Sequence, residues 1–337
     1  MKSLSALVFL SLSYVLLGVN LYAQDAPLSK EKETIDLLRY PVNFDQALGA
    51  STARIGEGVL HQVEVHLIEI PAGGQQPPQR HLAEEVIYIV SGEGYTSMWT
   101  RPGEKEQRYD WKAGDYLSPS LNIWHKHVNT SPDKPVRYVS ISSAPLTYNL
   151  FHNKEFLTSS EFVFKDRWQQ GITQQPEYTP EGGFEGPEVV RMRVGHVLPN
   201  LPGREMARRA EDVLGITILP EGDMAGNHIM EMEVRELQGA NKEVHVGYSG
   251  HRHPWETVYV MLEGKGYSIL QRSDQRARRV NWQAGDLIIV EANEFHDHRT
   301  GSDSTGWSNL QVKPSGYFHG VGNVGDTDRT PIPEEFR

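Results

Sequence analysis

Over most of its length the chain alternates between short apolar runs and polar turns rich in glycine or proline. Val63-Glu64-Val65-His66-Leu67-Ile68-Glu69-Ile70, Val86-Ile87-Tyr88-Ile89-Val90, Tyr116-Leu117 and Val136-Arg137-Tyr138-Val139-Ser140-Ile141 are the clearest such runs. Runs of this length, rich in β-branched residues and bounded by turn signals, predict the strands of a sandwich or barrel. The pattern stops near residue 150 and returns over 216–315. The intervening 151–215 predict a linker packed on the surface. It has a short helix over Ser159 to Trp168, a turn-rich passage from Gln174 to Gly183, and a further run from Arg204 to Val213. Residues 24–54 form a polar arm with one short helix within Lys30 to Leu38, and 316–337 a second arm rich in Gly, Pro and charge. The expected architecture is all-β, with barrels over 55–150 and 216–315 joined by a partly helical linker.

The two β regions repeat each other. Gly92-Glu93-Gly94-Tyr95 matches Gly264-Lys265-Gly266-Tyr267, and Trp111-Lys112-Ala113-Gly114-Asp115 matches Trp282-Gln283-Ala284-Gly285-Asp286. Gln79-Arg80-His81 matches His251-Arg252-His253, and Trp124-His125-Lys126-His127 matches Phe295-His296-Asp297-His298. The spacings between these anchors agree, so the chain is an internal duplication. Gly-x-Gly after an apolar strand predicts a hairpin turn with positive φ, and Ala-Gly-Asp a turn feeding the next strand.

The second repeat carries the chemistry. In His251-Arg252-His253 the alternation of a strand sends both imidazoles to one face. Two neutral imidazoles chelate a borderline divalent metal, and His296 on a facing strand completes a three-histidine set with open positions for a ligand. Glu256 is a candidate fourth ligand. Strict parity gives the inward place to Thr257 instead, unless Pro254 breaks the alternation. His298 has the parity of His296 and, with Glu256, is a candidate for proton handling. Trp255 and Tyr259 are candidate cavity-lining residues. Arg272, Arg276, Arg278 and Arg279 predict a solvated hairpin loop.

Charge and composition narrow the partners. Acidic residues outnumber basic ones, 44 to 33, for a net charge of −11. That balance argues against nucleic acid or an anionic membrane as partner and leaves a small molecule. With no cysteine there is no disulfide, thiolate ligand or thiol nucleophile. Lys2, the apolar stretch Leu4 to Val19 and Ala23 before Gln24 form a signal-peptide pattern over 1–23, so export to the periplasm is expected.

The motifs resemble those of the cupin superfamily. His81, Glu85, Gly92, Gly114, Pro119, His125 and Asn129 fall on the family pattern in the first repeat, and His251, His253, Gly264, Gly285 and His296 in the second. The resemblance implies two jelly-roll barrels. It also implies a degenerate metal site in the first, where Gln79 replaces the family's leading histidine and leaves His81, His125 and Glu85, or its neighbour Glu84. The wording of the second repeat is similar to gentisate 1,2-dioxygenase and its salicylate and hydroxynaphthoate relatives, which hold Fe(II) with three histidines and cleave an aromatic ring with dioxygen. Fe(II) and a small aromatic hydroxy acid are therefore the first expectation, with Mn(II), Zn(II) and Ni(II) as alternative metals. Two other functions fit a bicupin: a Mn-dependent decarboxylase or oxidase of a small carboxylic acid, which needs Glu256 as a ligand, and a non-catalytic periplasmic binding protein. The resemblance and the terminal arms also imply a homo-oligomer.

Overall fold

The computed structural model describes residues 34–173, 177–183, 186–193, 195–198, 218–219, 227–238, 250–273, 275–300 and 306–320. The signal-like segment, the Arg204 to Val213 run and most of the C-terminal arm lie outside these residues. The first barrel has a wide sheet ordered Val197–Leu198, Tyr116–Leu117, Glu85–Ser91, Val136–Ser142, Glu64–Ile70, Ala50–Ile55, Asn43–Asp45. Its narrow sheet sets Glu93–Trp99 between Gln107–Lys112 and Trp124–Asn129. In the second barrel one long strand, Thr257–Gln271, serves both faces. Its first part pairs with Asp286–Val290 and Gly306–Lys313, and its later part with Arg278–Gln283 and Phe295–Thr300.

The apolar runs are continuous because these strands are covered on both sides. Val86, Tyr88, Val139 and Ile141 of the first barrel join Val258, Val260, Leu310 and Val312 of the second in one shared core. The alternate residues Ile87, Ile89, Met98 and Tyr138 face the first lumen, and Tyr259, Met261, Leu270 and Trp282 the second. Each buried aliphatic or aromatic side chain contributes about 1.5–3 kcal/mol, so the shared core holds the barrels together. A strand exchange reinforces it. Thr34–Asp36, which precedes the first barrel, pairs antiparallel with Asp286–Val290 of the second. Val197–Leu198, which precedes the second, pairs with Tyr116–Leu117 of the first.

Several local expectations are corrected. The Lys30 to Leu38 helix is instead the exchanged strand over Thr34–Asp36, because a neighbouring sheet edge offers its backbone partners that an isolated turn of helix lacks. The Ser159 to Trp168 helix is replaced by two, Lys154–Ser159 and Lys165–Thr173, the first capped by the Asn153 side chain accepting from Phe156 N at 2.9 Å. A third helix, Ala144–Phe151, follows the first barrel directly. The passage expected as turns holds an antiparallel pair, Glu177–Gly183 with Gly186–Arg193. Gly-x-Gly is a corner rather than a hairpin turn. Gly92 and Gly264 do take positive φ, +86° and +80°, but the strands they join run on into the other sheet. Gly94 lies under the Trp111 ring, where an added Cβ would stand 2.4 Å from the indole.

His196 pegs the linker to the first barrel. Its ring lies 5.3 Å from Trp168 and 4.8 Å from Tyr109, and its Nδ1 donates to Ser118 O at 3.0 Å. Burial pushes the imidazole down to about 4. The group is neutral when folded, whereas the unfolded chain takes up a proton near pH 6.5. Stability is therefore full above about pH 6.5 and is lost as the pH falls from there toward 4. Urea unfolding of metal-free protein across this window is expected to show that loss. His196→Gln is expected to lower the slope by roughly one proton; an unchanged slope would contradict the assignment.

Candidate metal centres

His251 pairs with His296 through an isolated bridge, with backbone bonds of 3.1 and 2.9 Å in the two directions. The bridge fixes the two strands at the distance at which cross-strand side chains meet. His253, two residues on, shares the face. The ring centroids lie 4.4 Å (His251–His296), 4.8 Å (His253–His296) and 5.7 Å (His251–His253) apart. One nitrogen from each ring falls within 4.8 Å of the other two. Second contacts set the tautomers. His253 Nδ1 meets Trp255 O at 2.8 Å and His296 Nδ1 meets Glu294 O at 3.1 Å. A carbonyl only accepts, so each Nδ1 carries the proton and each Nε2 presents a lone pair. The donor set suits a divalent transition metal.

Glu256 is not part of this group. The strand parity holds past Pro254, so its carboxylate points away from the lumen. There it accepts from the backbone N–H of His61 at 2.7 Å, Gln62 at 2.8 Å and Val63 at 3.1 Å, all in the first barrel. Thr257 takes the inward place, with its hydroxyl 3.4 Å from His253 Nε2. The repeat has the mirror contact: Glu84 accepts from His228, Ile229 and Met230 N–H of the second repeat at 2.6–2.8 Å and from Arg167 at 2.6 Å. Glu84 and Glu256 are thus inter-barrel anchors, and neither the ligand role nor the proton-handling role expected of Glu256 fits its position.

The first barrel is better equipped than the word degenerate implies. Gln79 pairs with His125 as His251 does with His296, but it adds no metal donor. His81, Glu85 and His125 nevertheless form a complete three-ligand group, again within 4.8 Å. Glu85 Oε2 lies 3.4 Å from His81 Nε2 and 3.6 Å from His125 Nε2. Nδ1 of both histidines is turned to a carbonyl, Ala83 O at 2.8 Å and Ile123 O at 2.9 Å. His125 Nε2 and Glu85 Oε2 are buried with no hydrogen bond, the signature of atoms directed at a missing cation. Burial opposes charge on Glu85, but His81 beside it, with His125 and His127, holds the carboxyl well below its ordinary range. Burial and the His81 charge push His125 down to about 3. His125 and Glu85 are thus in the state a divalent metal needs. At His81 burial is outweighed by Glu85, which raises the imidazole above its ordinary value, so that ring must give up its proton to ligate.

Two further histidines have Nδ1 on a hydroxyl instead of a carbonyl. Trp111 Nε1–H donates to Thr96 Oγ1 at 2.9 Å, and Thr96 Oγ1 stands 2.7 Å from His127 Nδ1. An indole only donates, so the buried hydroxyl accepts from it and ties its remaining hydrogen-bonding capacity to Nδ1, which fixes the ring. Trp282, Ser268 and His298 repeat this at 3.0 and 2.7 Å. Ser268 thus holds His298 in the second barrel as Thr96 holds His127 in the first, with His298 standing beside the histidine group as a candidate for proton handling. The rings of the two expected lining residues reach the histidines. Trp255 stacks on His253 at 4.8 Å, and Tyr259 lies 4.4 Å from His298. The arginine stretch is only partly solvated: Arg278 meets the buried Glu294 at 2.6 Å and Arg272 binds Glu291, whereas Arg276 and Arg279 are exposed, Arg279 over the Tyr267 ring at 3.8 Å. The Trp–hydroxyl–His chains lay outside the sequence reading, although each is spelled by repeat-matched residues.

The comparisons agree with this architecture. The cupin domain family model matches residues 66–142, within the first barrel. No curated protein sequence matches the chain. Among solved structures, salicylate 1,2-dioxygenase from Pseudaminobacter salicylatoxidans has a TM-score of 0.57 at 12% identity, covering 83% of this chain and 80% of that one. The oxalate decarboxylase of Lactobacillus farciminis, solved with formate, has a TM-score of 0.52 at 14% identity, covering 85% and 87%. An oxalate decarboxylase variant from Bacillus subtilis has a TM-score of 0.51 at 12% identity, covering 84% and 77%. Likeness at this identity is likeness of fold. The fold is that of a bicupin, two cupin-like barrels in tandem, and the first of them is the one the cupin family model matches.

If Glu256 is an anchor, Glu256→Gln leaves the metal content of the protein unchanged. It lowers the unfolding free energy by about 2–3 kcal/mol, since an amide oxygen replaces a charged acceptor of three buried N–H groups. Elemental analysis and urea unfolding read the two effects. Loss of metal at unchanged stability would restore Glu256 as a ligand.

Proposed function

We propose that the protein is a metal-dependent oxygenase of the gentisate dioxygenase-like type, acting on a small aromatic hydroxy acid in its second barrel. The observation that carries this reading is the neutral ligand set. Among the described residues, His251, His253 and His296 come together with no carboxylate in the group. Three neutral donors leave a divalent metal its full charge, which favours an anionic, bidentate ligand. Fe(II), when bound, supplies the redox chemistry that lets dioxygen react with such a substrate. The chain's own residues do the rest. Trp255 O and Glu294 O hold the ligating rings in register. His298, fixed by Ser268, is the candidate for proton handling at a substrate oxygen, and the Tyr259 ring beside it forms an apolar wall. The burial of His253 and His296 keeps bulk water from the ligands.

A second reading rests on the first barrel. The decarboxylase or oxidase alternative is tied to Glu256, which lies away from the second-barrel group, but Glu85 with His81 and His125 supplies a carboxylate in the other barrel. A carboxylate lowers the charge on the metal and favours a hard ion such as Mn(II). Export to the periplasm and a homo-oligomeric state complete the proposal. The first is supported by the signal-like pattern in residues 1–23, and fractionation of expressing cells tests it.

Metal content of anaerobically purified protein discriminates the readings. The oxygenase predicts about one Fe per chain that falls away in His253→Ala and persists in His125→Ala, with oxygen uptake on aromatic 2-hydroxy acids. Mn that follows His125 instead supports the first-barrel chemistry. No stoichiometric metal in the wild type contradicts both.

A further inference from the structure

Asn309 and Gln311 lie on Gly306–Lys313, the last strand of the second barrel. Their neighbours Leu310 and Val312 enter the shared inter-barrel core, so the alternation turns the two amides to the lumen. Their partners on Thr257–Gln271 are Met261 and Tyr259, both lumen residues, and on the other side, along Glu231–Gln238, they are in register with Arg235 and Glu233. Tyr259 in turn lies against His298 and His296, with ring centroids at 4.4 and 6.1 Å. The amides therefore sit beside the histidine group.

Asn309 is fully buried and Gln311 is 3% exposed. Among the described residues, neither end of the Asn309 amide has a hydrogen-bond partner, nor has Gln311 Nε2. Buried polar atoms are nearly always paired, so a cluster of unmet ones beside a metal-ligand group indicates an absent partner. The duplication supplies an internal control. Val139 faces Tyr88 in the first barrel as Leu310 faces Val260 in the second. On that alignment Tyr138 and Ser140 occupy the places of Asn309 and Gln311. Both are satisfied within the first barrel, Tyr138 by Gln76 and Ser140 by Glu85. Only the second lumen keeps polar groups in reserve at these two positions.

We propose that Asn309 and Gln311 bind the organic ligand of the second barrel and set its specificity, and that this ligand is a small carboxylate bearing a hydroxyl group. The inventory of atoms dictates the class. Gln311 Nε2 and Asn309 Nδ2 are donors and call for acceptor oxygens, as in a carboxylate. Asn309 Oδ1 is an acceptor and calls for a hydroxyl. The inference rests on the reading that the second barrel is the ligand site, and it adds the residues that recognise the part of the ligand not held by metal.

Isothermal titration of metal-loaded protein with 2-hydroxybenzoate and with benzoate tests it, alongside metal analysis and thermal unfolding without ligand. The wild type is expected to bind 2-hydroxybenzoate about tenfold or more tighter than benzoate. Asn309→Leu is expected to lose that discrimination, and Gln311→Met to weaken both ligands, each with metal content unchanged. Asn309→Leu is also expected to melt higher than the wild type without ligand, because it removes an unmet buried amide. Wild-type affinity and discrimination in both variants overturn the proposal, as does a wild type that binds neither probe. A lower melting temperature for Asn309→Leu also overturns it, since the amide would then be satisfied by structural water. A wild type without metal whose binding still depends on Asn309 sinks the oxygenase reading and leaves this one standing.

Discussion

Two buried carboxylates hold the two barrels, and through them the two candidate sites, in a fixed relation. Glu84 and Glu256 each reach into the other repeat and take three consecutive backbone N–H groups. A buried charge is tolerated only when its hydrogen bonds are complete, so each contact admits one arrangement of the partner. Each anchor also stands next to an inward-facing position of its own barrel, Glu84 beside Glu85 and Glu256 beside Thr257. The alternation of the strand that directs the anchor outward directs its neighbour inward. The anchors thus act with the shared apolar core and the exchanged strands to give the lumens rigid walls.

On that common frame the repeats have diverged in complementary ways. The first barrel kept the carboxylate at its inward position and lost the leading histidine to Gln79. The second kept all three histidines and has Thr257 where the first has Glu85. Each retains three ligand atoms within reach of one ion, but their charges differ by one unit. The surroundings follow the same split. The first lumen is closed by a tyrosine and a serine with partners, while the second presents amides without them. On the proposed reading, that difference in charge favours a harder ion in the first barrel, and a softer ion with an organic anion in the second.

Much of this was legible in the chain because it is local and periodic. The duplication, the strand texture and the His251, His253 and His296 set follow from spacing and from the two-residue period of a strand. That same period, applied strictly, places Thr257 rather than Glu256 inward; the error lay in letting Pro254 override it. Other features depend on partners distant in sequence. The exchanged strand over Thr34–Asp36 is specified by an edge about 250 residues away, as its pairing with Ile288 shows. Glu84 and Glu256 look like any surface carboxylate until the opposing backbone is in place. Asn309 and Gln311 belong to no motif, and their importance lies in lacking a partner, which only a packed structure reveals.

The composition of the second-barrel ligand shell is the central claim, and X-ray absorption at the metal edge tests it most directly. Measured on metal-loaded His125→Ala, in which the first site is disabled, the spectrum is expected to show scattering from three imidazoles. It is also expected to be unchanged when Glu256→Gln is added. Fewer imidazoles, or a shell that alters with Glu256, would contradict the account.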